Sequence, residues 1–349
     1  MSDQMQSDQR VVAMFKGEEL DRVPVIPFMF GHIAVVNGIP ISEVYENGKA
    51  SFKAQTRAAE FYGYDRLNIY AYAMYGGWEF GGEIRLPRKE GESPVVAKYA
   101  AETMEQAEKL QVPENILEAG CIPINLEFSN YQAEEGVPVS FQANGPLTMA
   151  SCMVGVEKLM MWMIEAPEIV HHLSRISTDF SLQLCDQWIK KFGAENLMPI
   201  VGCATESNKL ISPKHFEEFV FPYMNEMLDK FSQAGIKKCF SHLCSEQKAN
   251  LPYFGKMPWP QKSLFSFGIE TPLQFAAQHL PNHIMGGHVD PLIIRSGNPD
   301  QVLEDSRKSI EEGKDLAGFA LMPGCDIPAY SPPINVFQMV KAARVNGWN

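Results

Sequence analysis

No stretch of this 349-residue chain approaches the roughly 18 consecutive apolar residues that a membrane-spanning helix needs. Positive charge is scarce as well: 30 lysines and arginines stand against 42 acidic residues, for a formal net charge of −12. That balance argues against nonspecific attraction to nucleic acid or anionic lipid, and it predicts no strongly basic cleft for a polyanionic substrate, although a local basic patch can hide inside such a total. The first residues, "MSDQMQSDQR", lack a basic region followed by an apolar one, so no export signal is read and a cytoplasmic protein is expected. No internal repeat, low-complexity tract or Gly/Ser/Pro-rich linker divides the chain, and one domain spanning 1–349 is expected. The seven cysteines are scattered and odd in number, which points to free thiols in a reducing compartment and not to a disulfide framework. Cys152 and Cys185 fall in helix-like patterns and read as ordinary buried side chains.

What is present is a core. Hydrophobic residues make up 45% of the chain and charged residues 21%, the proportions of a globular protein. Eight short apolar runs recur, each followed by a polar turn and a helical pattern: "VPVIPFM" (23–29), "DRLNIY" (65–70), "VPVSFQAN" (137–144), "NLMPIVG" (196–202), "KKCFSHL" (237–243), "SLFSFG" (263–268), "HIMGGH" (283–288) and "GFALMPG" (318–324). Near-continuous apolar strands separated by helices indicate a parallel sheet covered on both faces, and eight of them predict an α/β fold of the (β/α)8 TIM-barrel type. The helix signals agree. In "SPKHFEEFVFPYMNEMLDKFSQAG" Ser212 is placed to cap, Pro213 occupies the first turn, apolar residues follow at three- and four-residue steps, and Gly235 is a stop; Pro222 within it predicts a kink or a break. "NPDQVLEDSRKSIEEGKD" reads in the same way. The interval 71–136 is too long for one crossover helix and is expected to be an insertion between strands 2 and 3 near the barrel mouth. Within it, "GGEIRLPRKEGESPVVAKYA" reads as two extended segments joined by a polar turn.

Chemistry concentrates at the ends of the runs. His242 and Cys244 stand at i and i+2, so on a strand both point to one face. They end the fifth run, on the side where barrel enzymes keep their active sites. Zinc takes imidazole nitrogen and thiolate sulfur, and a catalytic zinc keeps three protein ligands and one open position. A third soft ligand is available in Cys325, behind the Pro323-Gly324 that closes the eighth run, where glycine allows a sharp turn. The alternative for each is a small buried or loop side chain. Glu206 and Glu270 follow the fourth and sixth runs and are candidates for the zinc's fourth position or for a proton acceptor; the alternative is a carboxylate at a helix start. His288, Asp290, Asn144 and Tyr70 are candidate substrate-binding residues, with His32 behind them. The methionine-rich "LTMASCMVGVEKLMMWMIEAP" reads as packing, and Trp78 or Phe80 could cover a substrate or pack on the barrel.

With these residues assembled, the chain resembles the uroporphyrinogen decarboxylase superfamily, and within it the zinc-dependent, corrinoid-linked methyltransferases. The stretches that carry the likeness are "FKGEELDRVPVIPF" (15–28), "ANGPLTMAS" (143–151), "LISPKHFEEFVFPY" (210–223), "SHLC" (241–244), "GGHVDPLIIRSGNPDQV" (286–302) and "GFALMPGCDIPAYSPPINVFQMVKAA" (318–343). The resemblance implies a zinc bound by His242, Cys244 and Cys325, and a corrinoid cofactor (cobalamin) supplied by a partner corrinoid protein, since the chain has no DxHxxG-type cobalamin signature. It implies methyl exchange with a small-molecule donor or acceptor, with a lean toward demethylation of a methoxylated compound. A glycine commonly follows the first cysteine in such proteins; here Ser245 stands there. Two alternatives remain. A porphyrinogen decarboxylase needs arginines after the first strand, yet "IPFMFGHIAVVNGIP" contains none. A non-catalytic docking subunit with structural zinc would normally close the metal with four ligands.

Overall fold

Five of the eight apolar runs pair as one parallel sheet in the computed structural model, which describes residues 3–87 and 93–347. In chain order the strands are β1 (Glu83–Arg85), β2 (Val95–Lys98), β3 (Ile200–Cys203), β4 (Phe240–Leu243), β5 (Leu264–Phe267), β6 (Ile284–Val289) and β7 (Phe319–Pro323). β3 to β7 lie side by side in sequence order, all parallel, with helices between them, so the fold is mixed α/β. β1 and β2 form a separate antiparallel pair, the two extended segments expected there. The turn read between them falls on 88–92, outside the described residues.

Each strand is apolar on both faces because it serves two cores. Ile200, Phe240, Leu264, Ile284, Ala320 and Met322 belong to a small inner cluster that also takes in Ile26 and Ile69. On the alternate face of the same strands, Val201, Leu243, Phe265, Met285 and Leu321 join a larger cluster shared with the surrounding helices. This is the alternation that a strand's two-residue side-chain period imposes. It also places His242 on the inner face with Phe240, Ser266 with Leu264, and His288 with Ile284.

The first three runs do not form regular strands, contrary to the sequence expectation. Segment 23–29 makes one parallel bridge, Val25 with Leu321; Pro24 and Pro27 have no N–H to continue a ladder. Segment 65–70 is irregular because side-chain amides take its backbone groups: Gln55 Oε1 accepts from Ile69 N at 3.0 Å, Gln55 Nε2 donates to Ile69 O at 2.8 Å and Gln132 Nε2 to Asn68 O at 2.7 Å. Segment 137–144 bridges β3 at Gln142–Ile200 and its approach at Val139–Leu197, while Gln142's own amide pairs with the N and O of Tyr72 at 3.0 Å each.

The helix punctuation falls where the side chains dictate it. Ser212 Oγ accepts from His215 N at 3.2 Å, and the Pro222 region breaks into Pro213–Phe219 and Phe221–Gln233. Met149, Met153 and Met163 are buried, as packing residues are, and Met160 is partly so, whereas Met161 is 50% exposed. No single helix among the described residues is long and apolar enough to cross a membrane. At the N-terminal end of the sheet the helix Ser7–Lys16 inserts Val11 and Met14 into the inner cluster. It is held there by buried ion pairs: Asp65 accepts from Arg10 at 2.5 Å and Arg22 at 2.6 Å, and Asp21 accepts from Arg10 at 2.6 Å.

Candidate metal centre

One ring nitrogen of His242 and the sulfurs of Cys244 and Cys325 lie within 4.8 Å of one another. β4 supplies His242 from its inner face and Cys244 from the residue just past its end; Cys325 arrives from the loop after β7. The strand register sets the histidine's orientation. His242 pairs directly with Ser266 on β5, and its Nδ1 lies 2.8 Å from Ser266 Oγ. Phe28 packs edge-on against the ring at 5.0 Å between centroids. His242 Nε2 is buried without a hydrogen-bond partner. With Nδ1–H donated to the serine hydroxyl, Nε2 keeps its lone pair, the state a metal ligand requires. Two soft sulfurs and an imidazole nitrogen fit zinc.

The two thiols lie within 4.8 Å of each other and shift each other's pKa in opposite directions. The Cys325 thiol beside it holds Cys244 below the ordinary thiol range, against the opposing effect of burial and of the nearby Glu270 charge. Cys244, with burial adding, pushes Cys325 up to about 12. Cys244 is therefore the readier thiolate, and a bound cation would take the second proton's place.

The loop carrying Cys244 is fixed by backbone bonds and strained at one residue. Cys244 N donates to Cys203 O at 3.0 Å, and Gln247 Nε2 donates to Cys244 O at 3.0 Å. Ser245 has φ +60°, the one non-glycine with positive φ among the described residues. Its backbone sits over Gly268, where an added Cβ would lie 2.6 Å from Ser245 N. The chain bends at Gly324 and Cys325 without positive φ at the glycine. A Cβ there would meet Ile269 Cγ2 at 2.8 Å, so a larger residue at 324 would have to displace that side chain.

Of the other candidates, Glu270 lies on the exposed turn after β5, close enough for its charge to act on Cys244. Glu206 is fully buried; its carboxylate accepts from Thr148 N at 2.9 Å and from the Thr148 hydroxyl, at the start of the helix Pro146–Val154. Burial raises its pKa. Asp290 caps the helix Pro291–Ser296 by accepting from Leu292 N at 2.8 Å. Tyr70 is buried and donates to Tyr45 O at 2.8 Å. Asn144 Oδ1 accepts from Gly202 N at 3.1 Å, beside His242 in the β3–β4 register. His288 lies one pleat beyond Gly286, which pairs with Ser266, and its Nε2 is buried without a partner. His32 is tied into the core by Ala329 O at 2.9 Å and Tyr62 Oη at 2.7 Å. Phe80 packs on Phe180 at 5.4 Å.

Residues 6–345 match the uroporphyrinogen decarboxylase (URO-D) family. The chain belongs to that family. Among its relatives are a methylcobamide:CoM methyltransferase MtaA of Methanosarcina barkeri, 23% identical over 95% of this chain and 96% of that one, and a methylcobamide:CoM methyltransferase MtbA of Methanosarcina acetivorans, 25% identical over 72% of each. In structure this URO-D family member is similar to a methyltransferase from Methanosarcina mazei, with TM-score 0.79 and 24% identity over 98% of this chain and 99% of that one.

Sequence reasoning missed Ser266 and Asp326. Asp326 Oδ1 accepts from Phe30 N at 2.9 Å and ties the Cys325 loop to the start of the helix Phe30–Asn37; desolvation pushes its carboxyl up to about 8. A serine on a strand gives no signal until register places it beside a histidine. Asp326 was visible only as the neighbour of Cys325.

Proposed function

We propose that this URO-D family member is a zinc-dependent methyltransferase that exchanges a methyl group between a small molecule and a corrinoid carried by a partner protein. The observation that carries the reading is the His242, Cys244 and Cys325 cluster, with a buried ring nitrogen left free for a ligand. The corrinoid and its partner are supported by the relatives, whose names specify methylcobamide. The same names favour a thiol as acceptor.

Zinc bound by the three residues would act as a Lewis acid, lowering the pKa of a thiol, alkoxide or phenolate at its open position. The chain's own groups do the rest. Ser266 holds the His242 ring in orientation and tautomer. Cys244 and Cys325, at the ends of β4 and β7, bring charge that the cation neutralises. Glu270 is the carboxylate that can reach the open side and accept the substrate proton, whereas Glu206 is engaged at a helix start. His288 Nε2 and Asn144 line the same inner wall and position the substrate. Asp290 and Tyr70 act through the backbone they hold.

The site sits at the mouth of a single (β/α)8 barrel, with 71–136 as the insertion beside it. What supports closure is that the sheet's two edges carry the remaining runs. Val25 bridges β7, Gln142 bridges β3, and Asp65 N donates to Val25 O at 2.8 Å, with glutamine amides completing the circuit through 68–72.

Metal analysis tests the proposal. About one zinc per chain is expected, lost in Cys325→Ala together with methyl transfer. A His242→Ala variant that keeps full activity without zinc would overturn it. A zinc-bearing protein without activity toward any corrinoid would leave only a structural docking subunit.

A further inference from the structure

The end of the sheet opposite the metal centre carries a cavity of about 690 Å³. Its wall is made by residues that precede strands: Lys237 and Lys238 before β4, Lys262 before β5 and Asn282 before β6, with Lys16 from the helix Ser7–Lys16. Cys244 lies six residues beyond Lys238 along an extended strand, which separates the two sites by roughly 20 Å.

The lining holds four lysines and no acidic residue, in a chain whose net charge is −12. Among the described residues Lys237, Lys238 and Lys262 form no ion pair, and Lys16 has only an exposed contact with Glu18 at 3.7 Å. The Lys262 ammonium lies near Gly17, where an added Cβ would be 3.7 Å away. There the helix C-terminus offsets part of one charge. The remaining repulsion is visible locally: burial and Lys237 push Lys238 down, and Lys262 opposes protonation of His283. The opposite wall is apolar. Val12 is 47% exposed, and Phe15 and Pro138 stand beside it.

We infer that this cavity binds a nucleotide-class anion, with its phosphates among Lys16, Lys237, Lys238 and Lys262 and its base against Val12, Phe15 and Pro138. Ammonium groups act as point charges suited to polyphosphate, and the lining has no arginine to favour a forked carboxylate contact. Gln261 and Asn282 at the rim offer amides to the edge of a base. The volume lies within the range of about 300–1,000 Å³ common for small-molecule sites. The inference does not depend on the methyltransferase reading.

Calorimetric titration of the full chain with ATP, pyrophosphate and adenosine is the test. ATP is expected to bind saturably at one site, to weaken as salt is raised, and to bind more tightly than either fragment. Joint replacement Lys237→Ala, Lys238→Ala and Lys262→Ala is expected to weaken ATP by at least about tenfold, with zinc content and unfolding midpoint retained. Val12→Glu, which puts a negative charge on an exposed position of the apolar wall, should do the same. Absence of saturable ATP binding, equal binding by the triple variant, or pyrophosphate binding as tightly as ATP would overturn the assignment.

Discussion

Replacing Ser266 by alanine removes the hydroxyl that partners the His242 ring and should loosen the metal. Ser266 Oγ is the partner of His242 Nδ1 at 2.8 Å, and the serine is fully buried, so no bulk water substitutes for it. Deletion leaves a buried ring N–H unpaired and frees the imidazole to rotate or change tautomer. Outer partners of metal-bound histidines are typically worth about 10- to 100-fold in metal affinity, or about 1.4–2.8 kcal/mol. Ser241 provides the control. It sits next to His242 on the opposite face of β4, equally buried, with Oγ donating to Val201 O at 3.2 Å. Zinc affinity is read by competition with a chromogenic chelator. Ser266→Ala should fall in that range, and Ser241→Ala should match the parent chain while losing about as much folding stability, roughly 1 kcal/mol. Unchanged affinity in Ser266→Ala, or an equal loss in Ser241→Ala, refutes the reasoning.

Ser245→Gly releases a φ of +60° and should stabilise the chain by about 1 kcal/mol, seen as a higher urea midpoint; a lower midpoint would mean that the serine side chain makes up for the strain. Asp65→Asn leaves Arg10 and Arg22, both buried, without their shared carboxylate and should cost about 3–5 kcal/mol in equilibrium unfolding. His283 is held down to about 4 by burial and by Lys262, and its unprotonated Nδ1 accepts from Ser263 N at 3.1 Å. Between that value and the ordinary histidine range near 6.5 the unfolded chain takes up a proton that the folded chain refuses. Stability therefore falls as pH drops through this window, and His283→Asn, which keeps an acceptor but cannot titrate, should flatten that part of the stability–pH curve.

How far the sequence reveals this molecule depends on which interactions are local. His242 and Cys244 are legible together because a two-residue step puts side chains on one face, and the strands β3 to β7 are legible because apolar runs of that length need two cores. The first three runs mislead. Their composition is strand-like, but two prolines and three glutamine side chains, from 55, 132 and 142, decide their backbone pairing, and that depends on tertiary contacts. Glu206 and Asp290 both follow apolar runs and so look like rim residues. Both carboxylates serve helix starts instead: Asp290 caps the helix that follows it in the chain, and Glu206 reaches back to the start of the earlier helix Pro146–Val154. The Asp290-Pro291 pair carries that signal in the sequence. Ser266 and the unpartnered Nε2 of His288 follow from register alone. The lysine cavity combines residues from six separate segments, which the net charge conceals.

Methyl exchange with a corrinoid is read directly from the cobalt spectrum. Zinc-loaded protein is mixed with methyl-Co(III) corrinoid and a thiol, and separately with Co(I) corrinoid and methylated donors, while the absorbance that distinguishes the two cobalt states is followed. Zinc-dependent interconversion of the two states is expected in at least one direction, abolished by Cys325→Ala; folded, zinc-loaded protein that changes the spectrum in neither direction would rule out methyl exchange with a corrinoid.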